Sequence, residues 1–364
     1  MYKAQSSYFP STPTTKQYQN NALDQFSSAS TGSRRHNTAM QILTGQGELT
    51  TTERTNYINA VWCLRGLPSQ LPNDQYPGVR DRMDDFVATH INNTLYIHSN
   101  GLLLPWHRHF IYLYEKALQD ECHYQGTLPY WNWSLFTTNL TLSPVFDGTP
   151  TSLSGNGLPT ANNTSNLCPH NIPCPSPGTG GGCLYNGPFT NWTAHLGPFS
   201  ISQVQPYGSL PPNTWSYNPR CLTRNFTTDW LTSLNTPTNI TSMLSAPDLK
   251  SFLALMSPST LGYVGAHEGG HAAVGANMLD TWASAQDPVF FLHHAMVDRV
   301  WTLWQELDPV SRLVAVNGTG IVHDPPDAEL VTLNTVMDFG VLDGPRTVWE
   351  VMDVRGGRYC YGYD

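Results

Sequence analysis

Six of the 13 histidines in this chain fall into two separated trios: His90, His98 and His107, then His267, His271 and His294. Each trio offers three neutral imidazole nitrogens to one ion. Imidazole suits copper, zinc, iron and nickel alike, so ligand type alone does not choose the metal. Two open three-histidine sites on facing helices would make a binuclear centre able to hold a small molecule, O2 among them, between two ions. A lone histidine is far more often an ordinary hydrogen-bonded residue, and His36, His123, His170, His195 and His323 are read that way. His109 and His293 lie beside the proposed ligands. Residues one or two apart leave a helix on different faces, so at most one of each pair is expected to face a metal.

The elements that must carry these rings are mostly helical. His267 and His271, four apart, leave one helix face a turn apart, which lets both bind one ion. His294 must then come from a facing helix. The segment DRMDDFVATHIN places Met83, Phe86, Val87 and His90 at helical spacing, so His90 faces the interior. Pro105 suits the first turn of a helix reaching about Cys122, on which His107, Ile111, Tyr114 and Leu118 share a stripe. The intervals between His90, His98 and His107 are interrupted by SNGLLLP, so a helix, a loop and a helix start must converge there. Further helices are expected from Thr51, where Thr/Glu capping chemistry precedes an apolar pattern, and over Thr227–Ser245, Asp248–Met256 and His267–Ala276. The last long one is predicted to open at Asp287-Pro288, an N-cap followed by proline. Segments TVWEVMDV and YCYGYD near the end suit short strands.

Composition narrows the partners. Charged residues make up 12% and the formal net charge is -9, which argues against nucleic acid or an anionic membrane surface. No apolar run of about 18 or more residues is present, so no membrane span is expected. The seven cysteines contain no C-x-x-C pair, which sets aside zinc-knuckle and thioredoxin readings and favours disulfides in an oxidising compartment. Sequons begin at Asn92, Asn132, Asn139, Asn162, Asn163, Asn191, Asn225, Asn239 and Asn317. A secreted chain carrying N-linked glycans is therefore expected, with Asn132 buried between Trp131 and Trp133 and unused. One domain over 1–364 is predicted, with 1–50 wrapping the surface and 137–220 a loop-rich insertion pinned by disulfides.

A rival motif is present. His267-Glu268-Gly269-Gly270-His271 matches the H-E-x-x-H of zinc proteases, in which the glutamate is the general base. Two interior glycines each weaken a helix by about 1 kcal/mol relative to alanine. The longer protease pattern also fails, since Val274 and Asn277 stand where its glycine and third histidine belong. Four histidines would be left over.

The segments PWHRHFIYLYEKAL, LPYWNWS and DPVFFLHHAMVDRVW resemble the signatures of type-3 copper proteins, the tyrosinases, catechol oxidases and haemocyanins. ECHYQGTLPYWNWS, NGPF and NPRCLTRNF are most similar to secreted short fungal polyphenol oxidases. The resemblance covers roughly 55–364. It implies a mainly α fold, a four-helix core holding two coppers, with long disulfide-pinned loops and a few short strands. It also implies His90, His98 and His107 on one copper and His267, His271 and His294 on the other, taking the second histidine of the HH pair. The implied reaction oxidises o-diphenols to o-quinones while O2 is reduced to water, with weaker hydroxylation of monophenols. Full tyrosinase activity is the alternative, and haemocyanin-like O2 binding without turnover is the alternative of another class.

Several further residues take expected roles. Asp298, one turn after His294, is placed to accept from a ligand imidazole. Phe290, one turn before it, is placed against the ligand rings. The ending YCYGYD resembles the motif that closes the catalytic domain, so no shielding domain is expected to follow. Tyr96 stands where many fungal relatives carry a cysteine cross-linked to histidine, so that thioether is not expected. Glu268 replaces the asparagine usual in tyrosinases, and Met256–Gly262 lacks the usual water-holding Glu or Gln. Glu268 is therefore the candidate base if its carboxylate points into the pocket. Thr281 to Ser284 are expected at the entrance.

Overall fold

The computed structural model describes residues 40–161, 167–356 and 358–364. Residues 1–39 of the N-terminal wrap expected over 1–50, His36 among them, and the sequons at Asn162 and Asn163 lie outside them.

Helix α1 (Thr51–Gly66) opens on a complete capping box: Thr50 accepts from Glu53 N while the Glu53 carboxylate accepts from Thr50 N at 2.8 Å. Its buried face, Tyr57, Ile58, Val61 and Leu64, lies against the core. Helix α2 (Arg82–Ile97) is capped by Asp81, and helix α3 (Leu103–Cys122) carries Pro105 in its first turn. His123 ends α3 in the left-handed region, φ 57°. A disulfide between Cys63 and Cys122 ties α1 to the end of α3.

The expected helix over Thr227–Ser245 is two, α4 (Asp229–Leu234) and α5 (Pro237–Leu244). Proline has no N–H to donate and its ring would strike the carbonyl four residues back, so the chain breaks and Thr236 recaps it. Helices α6 (Leu249–Met256) and α7 (Ala266–Val274) follow. Helix α8 (Val289–Glu306) is buried almost throughout and forms the axis of the core, packing on α3. The Asp287 carboxylate accepts from Val289 N at 3.0 Å and is clamped by the Arg224 guanidinium at 2.7 and 2.8 Å. A last short helix, α9, spans Pro309–Arg312.

The strands are short and occur in four pairs among the described residues. Strand β1 (Gln41–Leu43) runs parallel to β8 (Tyr361–Tyr363), with Leu43 opposite Tyr363. The antiparallel pairs are β2 (Gly157–Pro159) with β3 (Gly181–Leu184), β4 (Thr193–Ala194) with β5 (Arg220–Cys221), and β6 (Val336–Met337) with β7 (Arg346–Thr347). TVWEVMDV is not a strand beyond Thr347, because Trp349–Val351 curl into a 3-10 turn. The loops between 137 and 220 are stapled by disulfides Cys168–Cys174 and Cys183–Cys221. Asn132 is half-buried, and its side chain accepts from Ser134. Among the described residues no helix is long and apolar enough to cross a membrane.

Candidate metal centre

Four helices deliver the two trios to one place. Helix α2 supplies His90 from its interior and His98 from its C-terminal cap, and α3 supplies His107. Helix α7 supplies His267 and His271, and α8 supplies His294. Within the first trio the rings lie 4.9, 5.7 and 5.3 Å apart, centroid to centroid. Within the second they lie 4.8, 5.1 and 5.3 Å apart. The trios face each other: His107 and His294 stack at 4.1 Å and 9°.

Hydrogen bonds orient five of the six rings through Nδ1. His90 meets the Trp282 carbonyl at 2.8 Å, His98 that of Thr94 at 2.9 Å, and His107 that of Leu103 at 2.8 Å. His271 meets the Met278 carbonyl at 2.8 Å, and His267 the Glu268 carboxylate at 3.0 Å. A carbonyl or carboxylate only accepts, so each Nδ1 holds the proton and each Nε2 keeps its lone pair for a metal. His294 differs: its Nδ1 has no partner among the described residues, and its Nε2 lies 3.2 Å from His271 Nε2.

These lone pairs converge where the rings are buried. The Nε2 atoms of His90, His107 and His267 are buried with no hydrogen-bond partner among the described residues. Burial pushes the His90 imidazole down to about 4, so it is neutral at pH 7. Burial, reinforced by neighbouring imidazoles, likewise holds His98, His107, His271 and His294 well below the ordinary imidazole range. Buried acceptors left unmatched are costly, and so many in one place fit a bound cation.

Phe290 is packed among the rings, 4.2 Å from His294 and 5.1 Å from His90. The expectation for Asp298 is overturned. Its carboxylate touches no imidazole: Oδ1 accepts from Arg108 Nε at 2.5 Å, and Oδ2 from the Tyr361 and Tyr363 hydroxyls at 2.5 and 2.6 Å. The buried guanidinium is the nearer claimant, and β8 brings the two tyrosines over it. Glu268, the candidate base, lines the cavity and is engaged by three donors. Oε1 accepts from His267 Nδ1 and the Ser257 hydroxyl, and Oε2 from Gly265 N at 2.8 Å. It caps the start of α7 and orients His267.

The two glycines of the HEGGH segment are there for close approach. A Cβ on Gly270 would lie 2.3 Å from His293 Cε1, and one on Gly269 2.3 Å from Asn235 Oδ1. His293 belongs to the same cluster of ligand atoms as His267, His271 and His294. Its Nδ1, however, accepts from Trp133 Nε1 at 3.1 Å, which puts the ring proton on Nε2.

Residues 80–307 match the common central domain of tyrosinase. The chain belongs to the tyrosinase family. It is 48% identical over 332 residues to the N-acetyl-6-hydroxytryptophan oxidase ivoB of Emericella nidulans, covering 87% of this chain and 90% of that one. It is 45% identical to Tyrosinase P of Aspergillus terreus, with the same coverage, 87% and 90%. A solved polyphenol oxidase, a point mutant from Thermothelomyces thermophila, superposes with a TM-score of 0.83 at 33% identity, covering 95% of this chain and 94% of that one.

This tyrosinase-family protein is accordingly a copper oxidoreductase that acts on phenols with O2, and the neutral imidazole clusters fit that metal. Sequence reasoning missed Arg108, which is fully buried, donates to Asp298, Thr302 and Met352, and lies 3.7 Å over the Trp301 ring. A charge between two histidines in an apolar stripe was the available signal. His323, read as ordinary, lines the cavity beside the trios. His109 is held away from them by Tyr359 and Asp343 at 2.7 and 2.9 Å.

Proposed function

We propose that this enzyme oxidises o-diphenols to o-quinones at two coppers, one held by His90, His98 and His107 and the other by His267, His271 and His294. Two diphenols give four electrons and four protons, and one O2 becomes two waters. The observation that carries this reading is a single cavity of about 430 Å³ that reaches His98 of one trio and both His267 and His271 of the other. A phenol seated there touches both halves of the centre, and Thr281 and Ser284 stand on its wall. Bound copper supplies the one-electron couples that connect the diphenol to O2.

The side chains do the rest. Carbonyl and carboxylate partners fix the Nε2 lone pairs of five rings, and Phe290 packs against the rings of both trios. Monophenol hydroxylation is the weaker activity, because the Glu268 carboxylate, the candidate base, is already engaged by His267, Ser257 and Gly265. Oxygen carriage without turnover is disfavoured by the same open cavity, which admits a substrate.

Three disulfides support an extracellular location, and the exposed sequons Asn92, Asn139 and Asn191 are the proposed glycan sites. The deciding assay compares a catechol with its matching monophenol on copper-loaded protein, following O2 uptake and quinone absorbance. Prompt catechol oxidation with slow, lagging monophenol turnover is expected. Absence of O2 uptake with any catechol would refute the reading, and equal rates would make it a full tyrosinase.

A further inference from the structure

The cavity over the histidines, about 430 Å³, is in the range of sites for drug-sized ligands, about 300–1,000 Å³, and exceeds what a bare catechol ring needs. With the reacting hydroxyls at the trios, a substituent on the ring extends along the wall. Val204, Leu261, Val264, Met278 and Leu279 make much of that wall apolar. Among the described residues that line it, His323 is the one imidazole outside the two trios.

The His323 ring is held in one tautomer. Its Nδ1 lies 3.3 Å from the Ser259 carbonyl, which only accepts, so Nδ1 carries the proton and Nε2 keeps its lone pair. That Nε2 makes no hydrogen bond among the described residues. The loop carrying the ring is strained and held. His323 and Asp324 both take left-handed conformations, φ 65° and 49°, which non-glycine residues keep only where surrounding contacts enforce them. Asp324 Oδ1 accepts from Thr319 N at 2.7 Å and from the Thr319 hydroxyl at 3.2 Å. Val322 N donates to the Leu95 carbonyl at 2.8 Å, and Gly101 N to the Thr319 carbonyl at 3.0 Å. Leu95 and Gly101 flank His98, so the loop is fastened on both sides of a proposed ligand.

A ligand that covers Nε2 with an apolar group strips its water and returns nothing, whereas a donor placed there restores the hydrogen bond. The trios take the reacting hydroxyls, so this donor is one that the side chain of the substrate brings. We infer that His323 is a specificity-determining residue whose Nε2 accepts from an N–H or O–H on that side chain, and that the preferred substrate is a phenol carrying such a donor a short chain away from the ring. This rests on the diphenol-oxidising reading above for where the ring sits, though the selection itself is one of binding.

The test pairs two neutral catechols of equal size, the N-methylamide and the methyl ester of dihydroxyphenylacetic acid, which differ only in an N–H against an oxygen. On copper-loaded enzyme, kcat/KM for the amide should exceed that for the ester by about three- to tenfold, the worth of one hydrogen bond. The ratio should fall to near one in His323→Phe, which keeps a ring without an acceptor, and in His323→Asn, which is shorter and tolerates the left-handed backbone. His323→Gln returns an acceptor and should restore much of it. A merely structural role would lower both substrates together and leave the ratio unchanged. Calorimetry on the reduced, copper-loaded protein without O2 should show the same preference for the amide. A ratio of one or less in the parent enzyme, or a preference that survives loss of the acceptor, would overturn the inference while leaving diphenol oxidation intact. If neither catechol is oxidised, the diphenol reading falls, and calorimetry still decides the selection: a preference for the amide that His323→Asn abolishes upholds it, and equal affinity or no binding rejects it.

Discussion

Asp298 and Arg108 meet at 2.5 Å in the core, one from α8 and the other from α3, each a direct neighbour or one turn from a proposed copper ligand. Their contact locks the two helices that carry His107 and His294, and Tyr361 and Tyr363 close over it from the C-terminal strand. Asp298→Asn leaves the guanidinium buried and unpaired. The expected loss is about 3–5 kcal/mol in chemical denaturation. Copper affinity of the folded fraction should change little. Glu268→Ala should do the reverse, weakening copper binding about 10–100-fold in a chelator competition, because His267 loses its orienting carboxylate.

The HH pair separates by protonation. Trp133 Nε1 donates to His293 Nδ1, leaving His293 without a lone pair for a metal. His294→Ala is expected to lower copper per chain by metal analysis. His293→Ala should keep the copper, losing the packing of that ring on Gly270 and the hydrogen bond from Trp133. Copper lost equally in both variants would mean that the ligand is wrongly chosen.

Gly270→Ala tests close approach against helix propensity. In an unconstrained helix, alanine is favoured by up to about 1 kcal/mol. Here its Cβ falls 2.3 Å from His293 Cε1, so the His293 ring or the two helices must shift. A lower melting temperature and weaker copper binding are expected. A stabilised variant would show that the glycine is not there for packing.

Glu115 gives stability a pH dependence away from the metal. It lies on α3, accepts from Leu128 N, and burial raises its carboxyl from 4.5 to about 7. The folded state thus favours the proton. That contribution is complete below the unfolded value of 4.5 and falls away as pH climbs through about 7. Glu115→Gln stays neutral and keeps an acceptor for Leu128. It should be more stable than the parent at pH 8, by about 1–3 kcal/mol, with the gap closing near pH 4. Melting curves at the two pH values decide it.

Much of the site was legible because its signals are local. The four-residue spacing of His267 and His271, the proline in the first turn of α3 and the apolar run of α8 all follow from helix geometry. Asp298 was misread, and the donors to Glu268 were not foreseen, where locality ends. Helical spacing places a carboxylate on a face but does not say which donor on another element claims it first. Asp298 was claimed by Arg108 and by tyrosines 63 and 65 residues away, and Glu268 by its own helix start. Likewise Pro237 splits a pattern that periodicity alone joins.

From its residues alone, the chain determines a mainly helical scaffold and two imidazole trios of metal-binding type, because backbone sterics and side-chain period act over a few residues. Only the tertiary fold decides that His107 stacks on His294, that one cavity touches both trios, and which cysteines pair. Those depend on contacts between segments far apart in sequence, where burial and competition for each donor select one arrangement among many.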